Sequence, residues 1–256
     1  MTDYIYRFFI FWYICGVILV TFDLLPPWLE WANSVFLITA GVVAGIYFSK
    51  MYGIWSGIIY SAVIIIASIF IEHLGVEYDF LFGSYFYTEN FGLKIVDTPI
   101  TIGFAWLLII GCSHELARVL SSGLPPVISK LVFLLSGALM AVTIDLILDP
   151  VAFKVKEYWI WQEAGLYYDI PFSNFFGWFT VAAVFHLIFL LWGPPLKLDS
   201  SLWPRRMSLL FGMIIFMFIC IAFIGKLFFA IILVSMLTAV WYALYFWRKS
   251  YVQTRS

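Results

Sequence analysis

The run VISKLVFLLSGALMAVTIDLILD, residues 127–149, decides the fold. A helix over it would rise about 35 Å at about 1.5 Å per residue, enough to cross a hydrocarbon core about 30 Å thick. From Leu131 to Ile144 it carries no charge. Runs of the same character lie to either side, at 5–24, 33–49, 54–75, 98–120, 174–193, 207–224 and 226–246. Pro26-Pro27, Lys50, Pro125-Pro126, Pro194-Pro195 and Pro204 separate them. The last two runs are divided only by Gly225-Lys226. A single helix of about 40 residues there would be far too long for one bilayer. The sequence therefore predicts an all-α, polytopic transmembrane helical bundle of about eight spans, one integral membrane domain over 1–256.

Composition agrees. Hydrophobic residues make up 64% of the chain and charged ones 11%, against about 25% charged in soluble domains. As a water-soluble globule the chain would have no interior for its 27 Phe, 15 Tyr and 12 Trp. A multi-pass protein of the cell membrane is expected. Fourteen basic against fifteen acidic residues leave no electrostatic footprint for nucleic acid. Cys15, Cys112 and Cys220 lie far apart inside apolar runs and read as small hydrophobes rather than bridges. No small-x-small site follows Val20, so the first span is expected to be retained.

Basic residues orient the bundle. With the N-terminus cytoplasmic, that face carries Arg7, Lys50, Arg118, Lys130, Lys197, Arg205, Arg206, Arg248, Lys249 and Arg255. The other face keeps Lys94, Lys154, Lys156 and Lys226. Both termini are thus expected in the cytoplasm. Acidic residues run the opposite way: Asp3, Glu115 and Asp199 fall inside and the remaining twelve outside. They crowd near the outer ends of the third and fifth spans and in two long outer loops, about 76–97 and 150–173. Loops this long in a tightly connected bundle are usually functional.

Asp145 and Asp149 are four apart, on one face of the fifth span. Two carboxylates so close in a low dielectric resist ionising together, so one can serve as a neutral acid beside an ionised base. Intramembrane carboxylates are costly and tend to be functional. For Asp149 a helix-end cap fits equally. Glu72 and His73 reach the same outer level on the third span. Glu115, three before Arg118, reads as half of a structural ion pair, with His114 beside it. His186 reads as a packing residue. No His-x-x-x-His or Cys-x-x-Cys spacing suggests a metal. A same-direction echo places Pro99 seven before Trp106 and Pro171 seven before Trp178.

Aromatics crowd the outer loops beyond what an interfacial belt requires: Tyr85, Phe86 and Tyr87 in one, Trp159, Trp161, Tyr167 and Tyr168 in the other. Aromatic faces stabilise cations. A carboxylic acid beside aromatic walls within a membrane suits protonation of an alkene to a carbocation, which needs no cofactor.

Glu72-x-x-Gly75-Val76, Phe82-Gly83-x-Tyr85-x-Tyr87 and Asp145-x-x-x-Asp149-Pro150 resemble the membrane carotenoid biosynthesis proteins of the CruF type. So does Trp159-x-Trp161-x-x-x-Gly165-x-Tyr167-x-x-x-Pro171-x-x-Asn174-x-x-Gly177-Trp178, with Asp169 where Gly would be expected. The resemblance covers about 70–185. It implies a carotenoid hydratase, which adds water to a terminal double bond of an acyclic carotenoid end and leaves a tertiary alcohol. The partners would be a lipid-soluble carotenoid and water. On that reading Asp145 is the candidate general acid, with Asp149 and Glu72 as charge partners or water-activating bases. His73, Tyr85, Tyr87, Trp159, Trp161, Tyr167, Asn174 and Trp178 are candidates for binding substrate or supporting the cation. A membrane lycopene cyclase-like isomerase, or a non-enzymatic protein that binds or moves a lipid or polyene, would share many of these features.

Overall fold

Among the described residues eight helices take up the apolar runs, each long and apolar enough to cross a membrane. They are α1 (Thr2–Thr21), α2 (Trp31–Tyr52), α3 (Ile54–Tyr78), α4 (Thr101–Ser121), α5 (Pro126–Lys154), α6 (Phe172–Trp192), α7 (Leu202–Ile224) and α8 (Phe228–Gln253). The computed structural model describes residues 2–22, 24, 26–29, 31–95, 97–196 and 202–254. Of the charges counted on the two faces, Asp23, Glu30, Lys197, Asp199 and Arg255 lie outside the described residues. The fold is the all-α membrane bundle that the sequence predicts.

One boundary differs instructively from the sequence reading and a second agrees with it. Pro150 does not end α5, which continues through it to Lys154. Proline lacks an N–H, so the carbonyl four residues earlier loses its helical partner. That carbonyl, on Leu146, instead accepts the Tyr167 hydroxyl at 2.6 Å. At the other doubtful point the division is real: α7 and α8 are separate helices. Gly225 N–H bonds Ile221 O, Leu227 N–H bonds Ala222 O, and Lys226 between them takes φ 57°, so the chain turns left-handed out of α7.

The core is built around α4, buried almost all round against α2, α3, α5, α7 and α8. Small residues let the backbones close up, as membrane helices require when lipid competes for every apolar contact. A Cβ on Gly41 of α2 would meet Phe104 of α4 at 2.8 Å, and one on Gly111 of α4 would meet Ala44 of α2 at 2.8 Å. On the basic face, here called inner, Arg206 bridges Asp3 and Arg248 donates to the carbonyl of Ser122. These contacts tie α7 to α1 and α8 to the end of α4.

The outer loops are more ordered than loops need be. β1 (Tyr85–Tyr87) pairs antiparallel with β4 (Trp159–Trp161), in the register Tyr85↔Trp161, Phe86↔Ile160, Tyr87↔Trp159. Between these strands in the chain, β2 (Lys94–Ile95) and β3 (Thr98–Pro99) form a second small pair. Side chains alternate across a strand. Hence Tyr85, Tyr87, Trp159 and Trp161 all turn inward while Phe86 is exposed. Asp169, where Gly was expected, indeed sits at φ 60°, a conformation Asp tolerates better than most, and it pairs with Lys154 at 2.7 Å.

Candidate active site

The four inward aromatics of the β1–β4 pair meet two helix-borne carboxyl groups. Glu72, near the outer end of α3, accepts three hydrogen bonds. Tyr85 Oη donates to its Oε2 at 2.6 Å, Tyr87 Oη to the same atom at 2.8 Å, and Trp106 Nε1 to Oε1 at 2.9 Å. Burial, reinforced by the neighbouring Glu72, pushes both phenols well above their usual range, so both keep their protons and remain donors. Opposite, on α5, Asp149 accepts from Trp159 Nε1 at 2.7 Å and Trp161 Nε1 at 3.0 Å, both at Oδ1.

Asn174, at the start of α6, joins the two aspartates. Its Nδ2 donates to Asp149 Oδ2 at 2.6 Å and to Asp145 Oδ2 at 2.9 Å, which uses both amide hydrogens. Asp145 Oδ1 is buried without a hydrogen-bond partner. Glu72, Asp145 and Asp149 are each at least 95% buried, and among the described residues no lysine or arginine bridges any of them. Charged groups taken out of water in this way are expensive unless compensated. Here the compensation comes from neutral indole, phenol and amide dipoles.

A cavity of about 260 Å³ lies between these groups and the outer halves of α1, α2 and α7. Glu72, Asp149, Asn174, Tyr85, Tyr87, Trp159, Trp161 and Trp178 of the predicted site all line it. Three predicted residues do not. Asp145 stands behind Asp149, connected to it through Asn174. Tyr167 gives its hydroxyl to the carbonyl that Pro150 frees. His73, half-buried beside Glu72, faces elsewhere. Among the described residues no three His, Cys, Asp or Glu converge on a point that could hold a metal ion.

The structure also adds residues. Trp106, noted in the sequence only for its echo of Trp178, both bonds Glu72 and stacks on Trp178, with ring centroids 4.4 Å apart. That echo was its one sequence signal. Phe82 and Phe91 extend the aromatic wall, and Asn33, Tyr158 and Lys156 form a polar rim in which Asn33 Nδ2 donates to Tyr158 Oη at 2.6 Å. The cavity thus has an aromatic lining, a carboxylate on each of two sides, and polar groups at one edge.

These features define a multi-pass membrane protein with buried carboxyl groups on the wall of an aromatic cavity. The chain matches the carotenoid biosynthesis protein family over residues 32–244, most of its length, and it belongs to that family. Its role is therefore in carotenoid metabolism. Comparison with curated proteins and with solved structures finds no match.

Proposed function

We propose that the protein is a carotenoid hydratase, adding water across a terminal carbon–carbon double bond of an acyclic carotenoid end to give a tertiary alcohol. The observation that carries this reading is the pair of cation-free carboxyl groups, Glu72 and Asp149, on the wall of an aromatic cavity inside a membrane bundle.

Protonation comes first. The Asp145–Asp149 pair, bridged by Asn174, shares a proton, because two adjacent buried carboxylates cannot both carry charge without a counter-cation. Asp149, the member on the cavity wall, delivers it to the less substituted carbon of the double bond. The π electrons form the new C–H bond and leave a tertiary cation on the other carbon. The stacked indoles of Trp106 and Trp178 and the Glu72 carboxylate face that charge and stabilise it. A water molecule from the rim at Asn33 and Lys156 adds to the cation and gives up a proton to Glu72. Proton return from Glu72 to the aspartate pair resets the site, so the net change is one water gained by one alkene. The sequence reading placed the acid at Asp145; the geometry favours Asp149 as the donor, with Asp145 as its proton partner.

The test is expression in a host that accumulates an acyclic carotenoid, followed by mass analysis of the pigments. A product heavier by one water supports the reading. An isomer of unchanged mass would point to a cyclase instead, and untouched pigment to binding or transport.

A further inference from the structure

The far wall of the cavity comes from α1, which lies outside the family-matched residues 32–244. Cys15, Gly16, Leu19 and Val20 share one face of that helix and line the cavity together with Met217 and Ile221 of α7. The wall also includes Phe11, which is 61% exposed on the outside of the bundle. From Val20 to Phe11 the helix descends about 14 Å, from the level of the carboxylates to roughly its own midpoint. The cavity therefore reaches the lipid-facing surface beside α1. Its 260 Å³ is below the roughly 300–1,000 Å³ of pockets that enclose a drug-sized ligand. A polyene of about forty carbons, long enough to cross much of a bilayer, cannot be enclosed in it. Gly16 offers the clearance such a chain would need: a Cβ added there meets no atom within 4 Å.

We infer that the carotenoid binds end-on, one terminus at Glu72 and Asp149, with the rest of the polyene leaving along α1 past Gly16 and Phe11 into lipid. This rests on the hydratase reading for the chemistry but not for the channel. The α1 face then sets how deeply an end group enters, and each end of a symmetrical substrate must be presented separately.

The test uses the full-length protein in phospholipid vesicles, with lycopene as the polyene. Cys112 is buried and Cys220→Ala removes the other half-buried thiol, so a lipid-soluble maleimide reports on Cys15. Glu72→Gln is included so that bound polyene is not converted. Lycopene is expected to slow Cys15 labelling about tenfold or more. In otherwise native protein, Gly16→Leu is expected to lower kcat/KM about tenfold or more by overfilling the channel, while Gly16→Ala stays near wild type. Labelling that ignores lycopene overturns the channel, as does a Gly16→Leu variant with normal kcat/KM. Water addition without Cys15 protection would leave the hydratase reading standing and the channel wrong. Protection without water addition would leave the channel standing and the hydratase reading wrong.

Discussion

At the inner end of α4, the Glu115 carboxylate receives both arms of the Arg118 guanidinium, at 2.9 and 2.7 Å, and the Tyr47 hydroxyl at 2.7 Å. At the outer end of α3, Glu72 receives two tyrosine hydroxyls and an indole, and no cation. Both side chains are buried in membrane helices. The difference lies in what neutralises them. A fork of guanidinium N–H groups saturates Glu115 and removes its charge from consideration, which makes the pair a strut. Neutral dipoles hold Glu72 in place but leave its charge and proton affinity available, and a cavity lies against it. The histidines nearby are packed among aromatic rings, His114 with its Nε2 against Tyr52 Oη at 2.7 Å and His186 with its Nδ1 against the carbonyl of Ala182 at 2.7 Å. The sign of a site here is a buried carboxylate paired with dipoles rather than with charge.

The comparison breaks most sharply on activity. Glu72→Gln and Asp149→Asn should each lose about 10²–10⁴-fold of carotenoid conversion, the usual contribution of a general acid or base, at unchanged level in the membrane. Glu115→Gln should keep its turnover per folded molecule. Pigment yield normalised to membrane-inserted protein measures both. A Glu115 variant as inactive per molecule as the Glu72 variant would erase the distinction.

Stability should sort the same residues the other way. Glu115→Gln strands the Arg118 guanidinium and should cost about 3–5 kcal/mol, read as a lower unfolding midpoint in detergent. Adding Arg118→Met should restore most of the loss. If the double variant is no more stable than the single one, the pair is not the strut described. Asp145→Asn sharpens the outer half. A residue behind the cavity wall should cost less than one on it, about 10–100-fold in conversion, as for groups that orient a reacting partner. A loss equal to that of Asp149→Asn would return the acid to Asp145.

Much of this was legible in the sequence, for reasons that can be named. Span length gave the eight helices, because hydrocarbon thickness fixes how many apolar residues a crossing takes. The Asp145–Asp149 spacing and Glu72 were legible because carboxylates inside apolar runs are rare. The β1–β4 pairing was not, although Tyr85-Phe86-Tyr87 and Trp159-Ile160-Trp161 have the alternation of strands. Three residues are too short a run to separate a strand from an aromatic belt. Nor could spacing tell which of Asp145 and Asp149 reaches the cavity, since the two share a helix face. Tyr167 lies off the cavity wall with its hydroxyl on the carbonyl freed by Pro150, a contact across 21 residues of chain that no local pattern records.

That last contact gives the smallest effect. Tyr167→Phe should cost about 1 kcal/mol by leaving the partly buried Leu146 carbonyl unpaired. Pro150→Ala supplies the missing N–H and should recover part of the loss in the Tyr167→Phe background. Detergent unfolding midpoints of the two single variants and the double variant decide it. Strictly additive losses would mean that the hydroxyl does not serve that carbonyl.

The central claim, that the dipole-held outer carboxylates add water to a polyene, is tested most directly with purified protein, lycopene and oxygen-labelled water. The mass of the extracted pigment is then measured for the wild type and for Glu72→Gln. The expected result is a tertiary alcohol carrying the heavy oxygen in the wild type and unaltered lycopene in the variant. Lycopene unchanged by the wild type, or labelled alcohol formed equally well by Glu72→Gln, would contradict it.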